Sequence, residues 1–130
     1  MGINFRHLGQ LQESIDSFRK AIDFNDSKPA AHNNCGLSNF EFEMYTDAIK
    51  DFTAAITKSG KKSSAVNAVH YNNRGLAYFH TSSDDWAKRN ALDDFNSALE
   101  INPRDPNILY NKGNVHLSMN EFDQARHEFE

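Results

Sequence analysis

The sequence is short of nearly every feature that would assign it to a membrane, a nucleic acid or the cell exterior. Its single cysteine, Cys35, has no partner for an internal disulfide, which points to a reducing, intracellular and cytoplasmic setting. No apolar run approaches the roughly 18 residues a membrane-spanning helix needs, and Met1 to Leu11 lacks the apolar segment of a secretory leader. A basic stripe, expected of a nucleic-acid binder, is missing. The 14 Lys and Arg are interspersed with 18 Asp and Glu, for a net charge of −4.

Reactive chemistry is equally sparse. None of His7, His32, His70, His80, His116 and His127 forms a His-x3-His pair or joins Cys35 at ligand spacing, so they read as surface or packed residues. The glycines are isolated and form no phosphate-cradling loop. Cys35 reads as a small core residue rather than a nucleophile. The acidic pairs Asp84–Asp85 and Asp93–Asp94 read as solvated side chains or helix-dipole partners. Trp86 reads as a packing residue in a turn. The sequon at Asn25–Ser27 is a chance match in an intracellular chain. No enzyme, metal or cofactor is expected.

What the chain does have is a repeat. Phe18, Phe52, Phe95 and Phe129 are spaced by 34, 43 and 34 residues. Four residues before each stands a small residue: Ser14, Ala48, Ala91 and Ala125. Three after the first three stand Ala21, Ala55 and Ala98. The glycines follow the same rhythm. Gly2 and Gly36 are 34 apart, Gly36 and Gly75 are 39 apart, and Gly75 and Gly113 are 38 apart. The two excesses of 5 and 4 add to the 9 that turns 34 into 43. The unit is therefore 34 residues with two insertions, one in the polar stretch 58–67 and one in 80–86.

Each unit reads as two helices. Ala48, Phe52, Ala55 and Ile56, and again Ala91, Phe95, Ala98 and Leu99, form apolar stripes at i, i+4, i+7 and i+8. Pro29 and Pro106 suit first helical turns, with Asp105 as a cap, and 101–106 is the turn between units. Ser82 with Asp85 three residues on reads as a capping box, and the four-residue insertion there starts the following helix early. Gly36, Gly75 and Gly113 fall where the first helix crosses the second, so a partner side chain comes close.

This period, with its small-x3-Phe-x2-Ala phrase and Pro103 after the third phrase, resembles the tetratricopeptide repeat family. The resemblance covers nearly the whole chain. It departs at His32, at Arg74 and Lys112 before the glycines, and at Asn39 and His116, where the third unit has Tyr78. It implies an all-α fold, a right-handed solenoid of antiparallel helix pairs in a single domain over 1–130. The units run approximately 1–28, 29–67, 68–105 and 106–130, the middle two complete and the outer two truncated.

The asparagines of the first helices remain to be explained. Asn, like Gly, is a poor helix former, with Gly costing roughly 1 kcal/mol against Ala. Two residues before each central Gly stands Asn34, Asn73 or Asn111, and three before it Asn33, Asn72 or Tyr110. Helical spacing puts Ala30, Asn34, Leu37 and Glu41 on one face; Val69, Asn73, Leu76 and His80 on its counterpart; and Asn107, Asn111, Asn114 and Ser118 on the third. The resemblance implies that these faces line a concave groove. A primary amide carries donors and an acceptor, so it can hold a peptide backbone whatever its side chains. The expected groove set is Asn33, Asn34, Leu37, Phe40, Asn72, Asn73, Leu76, Phe79, Tyr110, Asn111 and Asn114, with the apolar members selecting side chains. The alternative is a solvated polar residue copied with the repeat.

Some relatives clamp a chaperone's C-terminal carboxylates with Lys and Arg. The matching positions here are Asn33, Leu37, Val69 and Asn73, and Arg6 and His7 do not replace the missing charges, so no such clamp is expected. The reading is a non-enzymatic module for a protein or peptide partner, with no nucleic acid and no membrane. The runner-up is a structural segment of a longer array. A second possibility is self-association through the uncapped ends, where Phe122, Ala125 and Phe129 are expected to present an open apolar edge.

Overall fold

In the computed structural model, residues 5–24, 29–59 and 65–119 are described, and all their regular structure is helical. The six helices are α1 (Phe5–Phe24), α2 (Pro29–Glu41), α3 (Tyr45–Ser59), α4 (Ala65–Thr81), α5 (Asp85–Ile101) and α6 (Pro106–Ser118). The expectations for Gly2, Phe122, Ala125, His127, Phe129 and the sequon lie outside these residues. So do those for the side chains of Arg6, His7, Phe18 and Ala21. The chain divides into two compact units, Met1–Gly60 and Lys61–Glu130.

In the first unit α2 packs on α3 and α1 packs on α2. Cys35, Ala48, Phe52 and Ala55 are fully buried at the crossing. An ideal Cβ on Gly36 would lie 2.6 Å from the Phe52 ring, so the missing side chain is what admits the ring. The α2–α3 turn is closed by two backbone bonds: Glu43 N–H donates to the Phe40 carbonyl at 2.9 Å and Met44 N–H to that of Asn39 at 2.9 Å. Glu43 sits at φ 64°, where this helix-ending motif usually places Gly.

In the second unit α4 packs on α5, α5 on α6, and α4 touches α6. Ala68, Ala91, Phe95, Ala98, Ile108 and Val115 form the core. Gly75 repeats the first unit's device, with an ideal Cβ 2.7 Å from the Phe95 ring. Asp105 caps α6, its Oδ1 accepting the N–H groups of Asn107 at 2.9 Å and Ile108 at 3.4 Å, and Pro106 opens the helix as its sequence position predicts.

The insertion at 80–86 is absorbed by helix rather than by loop. Both hairpin turns have three residues, 42–44 and 82–84. Measured from the central glycine α4 ends one residue later than α2, and measured from the phrase Phe α5 starts three residues earlier than α3. The cap is Asp84, not the Ser82–Asp85 box. Asp84 Oδ1 accepts the Ala87 N–H at 3.0 Å, while the Ser82 hydroxyl accepts the Asp84 N–H at 3.1 Å. Likewise α4 begins ten residues before its glycine, where α2 and α6 begin seven before theirs. Part of the other insertion therefore extends a helix; residues 60–64 lie outside the described set.

Trp86 corrects another expectation. It is 61% exposed, set edge-on to Tyr78 with ring centroids 5.7 Å apart, and does not fill the turn.

Candidate functional site

The second helices bury their stripes against the first, and the stripes include a charge that the sequence pattern hid. Asp51 and Asp94, each one residue before the phrase Phe, are buried, while Ile56 and Leu99 are only half-buried. Asp94 is neither a solvated side chain nor a helix-dipole partner, the two readings its sequence suggests. Instead it takes a two-pronged bond from Arg74, Nε to Oδ2 at 2.9 Å and Nη2 to Oδ1 at 2.7 Å. Burial pushes the Asp94 carboxyl up from its ordinary value, against the pull of Arg74. Burial also opposes the charge on Arg74, but the bond and charge of Asp94 outweigh it and raise its pKa. The guanidinium lies 5.6 Å and 6.0 Å from the ring centroids of Tyr71 and Tyr78.

Asp51 is held differently. Arg19 of α1 donates from Nη1 to Oδ1 at 2.9 Å and from Nη2 to Oδ2 at 3.3 Å, and Asn39 Nδ2 donates to Oδ2 at 2.7 Å. Thus Asn39 and Arg74, which look like lapses in the repeat, satisfy carboxylates at equivalent positions. The 43-residue separation of Asp51 and Asp94 equals that of the phrase Phe residues, and was the available signal. Cys35 packs beside this network, and burial first, then the Asp51 charge, pushes its thiol up to about 12. That thiol is not a nucleophile at neutral pH.

The amide faces stand apart from these buried contacts. On α2, Asn34 is exposed, Asn33 is half-buried, and Leu37 is 42% exposed. Phe40 is half-buried and meets Tyr45 of α3 edge-on at 5.2 Å. On α4, Asn72, Asn73, Leu76 and Phe79 are half-buried, and the last two pack against the core, which limits what they offer to a ligand. On α6, Tyr110 is 60% exposed and Asn111 and Asn114 are half-buried.

One rung joins two helices. Asn111 Nδ2 donates to Asn72 Oδ1 at 3.0 Å. The partner of Asn111 is therefore not Asn73, its counterpart in the repeat register, but the preceding asparagine. Beside Asn72 lies a cavity of about 180 Å³, walled by Ala65, Ala68, Val69 and Ile108 on one side and by Asn102, Asp105 and Asn107 on the other. Among the described residues no group of His, Cys, Asp and Glu has the arrangement to hold a metal ion, and no helix is long and apolar enough to cross a membrane.

Helix hairpins repeated along the chain, each closed by a glycine under a phenylalanine, define a helical-repeat protein. Residues 3–41 match the family model described as TPR repeat, and residues 95–127 match that described as Tetratricopeptide repeat. The chain belongs to the tetratricopeptide repeat family. It is 25% identical over 128 residues to human Tetratricopeptide repeat protein 6, a match covering 98% of this chain and 23% of that protein. The chain thus spans about a quarter of the length of this relative.

Solved structures agree on the fold. A crystal structure of MamA superposes with a TM-score of 0.79 at 20% identity, covering 98% of this chain and 72% of that one. MamA from Desulfovibrio magneticus RS-1 also gives 0.79, at 18% identity, covering 95% of this chain and 65% of that one. The fold class is the α-solenoid of helix pairs that the repeat predicts.

Proposed function

We propose that the chain is a non-enzymatic protein-interaction scaffold, a single repeat domain over 1–130, whose first helices hold an extended peptide or partner segment by its backbone. The observation that carries the reading is where the polar groups lie. The second helices and the glycine crossings consume the apolar stripe, while Asn34 stays exposed and Asn73, Asn111 and Asn114 stay partly exposed on the faces left over. A ligand held this way is recognised by its peptide groups, with Leu37 and Tyr110 as the accessible apolar contacts. Family membership supports a protein partner. An intracellular, cytoplasmic setting fits the lone buried thiol.

The test is retention of a degenerate decapeptide library on the immobilised chain. Changing Asn34, Asn73 and Asn111 together to Ala should leave helicity equal or higher, since Ala is the better helix former. The same change should remove most of the retained peptide. Undiminished retention would rule out the amide faces. Sedimentation equilibrium on the same protein addresses the self-association reading, which requires a concentration-dependent dimer.

A further inference from the structure

The α4–α6 rung carries a more specific assignment, which rests on the peptide-binding reading above. Asn72 and Asn111 are bonded to each other at 3.0 Å, and Asn72 also lines the 180 Å³ cavity. We propose that the amide pair and this cavity form one subsite for a single residue of an extended peptide. The pair takes the residue's backbone N–H and C=O, and the cavity takes its side chain, which is aliphatic.

The backbone half of the subsite follows from counting donors and acceptors. A primary amide has two N–H donors and one carbonyl with two lone pairs. A single bond between two amides uses one donor and one lone pair. Whichever amide donates, one residue keeps a whole NH2 group and the other a carbonyl. Those are the complements of a peptide's C=O and N–H. The bond also orients both side chains before any ligand arrives, which lowers the ordering cost of binding.

The side-chain half follows from the walls of the cavity. Its volume is that of about six waters at roughly 30 Å³ each, enough for one branched aliphatic side chain. Ala65, Ala68, Val69 and Ile108 supply its apolar side, and Asn72, Asn102, Asp105 and Asn107 its polar side. Among the described residues the one charged group at the rim is Asp105, and both its oxygens accept hydrogen bonds. Oδ1 accepts from the N–H groups of Asn107 and Ile108, and Oδ2 accepts from Asn102 Nδ2 at 3.3 Å. A carboxylate there repels Asp and Glu. Three of its roughly four lone-pair sites are already taken by Asn102, Asn107 and Ile108, which leaves little hydrogen-bonding capacity for Lys or Arg. Among the described residues no cation lines the cavity. What remains favoured is an uncharged, apolar side chain.

The experiment sequences the peptides retained from the degenerate library. The expected result is enrichment of Val, Ile or Leu at one position, with Asp and Glu depleted there. Val69→Phe, at an exposed position of α4, should fill the cavity and abolish that preference. Asn72→Ala with Asn111→Ala lowers the affinity of an enriched peptide about tenfold, as does N-methylation of the peptide bond at the enriched position. Far-UV circular dichroism and the urea midpoint of each variant verify folding. If the wild-type chain retains no peptide, the peptide-binding reading fails and the subsite with it. If it retains peptides without the aliphatic position, or the preference survives Val69→Phe, the subsite is wrong while the broader reading stands.

Discussion

Replacing glycine by alanine should have opposite consequences at Gly75 and at Gly9, although both lie inside helices. At Gly9 an added Cβ meets nothing within 4 Å. There the change should stabilise α1 by about 0.5–1 kcal/mol, the usual gain from removing a flexible residue inside a helix. At Gly75 the same atom would stand 2.7 Å from the Phe95 ring, about 0.7 Å inside an ordinary contact of 3.4 Å. The ring cannot swing aside, because Phe95 is fully buried among Ala68, Ala91, Ala98 and Val115. Overpacking a closed core costs about 1–3 kcal/mol. The propensity gain is common to both sites and cancels in the difference. Gly75→Ala should therefore be less stable than Gly9→Ala by about 1–3 kcal/mol. Urea unfolding followed by circular dichroism measures both, and pairing Gly75→Ala with Phe95→Leu should recover part of the loss. Equal stabilisation by the two alanines would refute the view that the glycine exists to admit the ring.

Further outcomes follow from the buried charges and the turn. Arg74→Met strands the Asp94 carboxylate and should cost about 3–5 kcal/mol, whereas adding Asp94→Leu should restore much of it; chemical denaturation of the single and double variants decides. Burial raises the native Asp94 pKa, so its contribution is full below the unfolded carboxylate value and is lost as pH rises through the native one. Asp94→Asn should flatten that part of the stability curve, read as the difference between variant and wild type from pH 3 to 7. With its thiol pushed up to about 12, Cys35 should resist iodoacetamide in the native chain at pH 8 and react only through opened states, so that alkylation speeds up with added urea. Glu43→Gly relieves a left-handed residue and should stabilise the α2–α3 hairpin by about 0.5–1 kcal/mol, visible as a higher urea midpoint.

The glycine crossings, the alanine stripes and the Pro106 start with its Asp105 cap were legible because each is a local rule repeated at a fixed period. The ion pairs were not. Arg74 and Asp94 are 20 residues apart, and Arg19 and Asp51 are 32 apart. Nothing in either flanking sequence says that a carboxylate on a helical stripe will be buried, because the side chain that neutralises it comes from another helix. The register did mark the recurrence of Asp before Phe, but Ser17 breaks it in the first unit. The capping residue at α5 was misplaced by two positions. Ser82, Asp84 and Asp85 all suit a helix start, and composition alone does not choose among them. At the amide faces the sequence singled out Asn34, Leu37 and Tyr110, which are exposed. It did not reveal that Asn111 reaches Asn72, a contact fixed by the offset between α4 and α6.

The side-chain amides themselves give the most direct test of peptide binding. In a nitrogen-15 correlation spectrum, adding a library-selected peptide should move the NH2 signals of Asn72, Asn73 and Asn111. Asn90, whose amide bonds to the Trp86 carbonyl on α5, and the exposed Asn96 should stay in place. Movement of Asn90 and Asn96 with Asn72, Asn73 and Asn111 unmoved would place the ligand on the second helices and contradict the account.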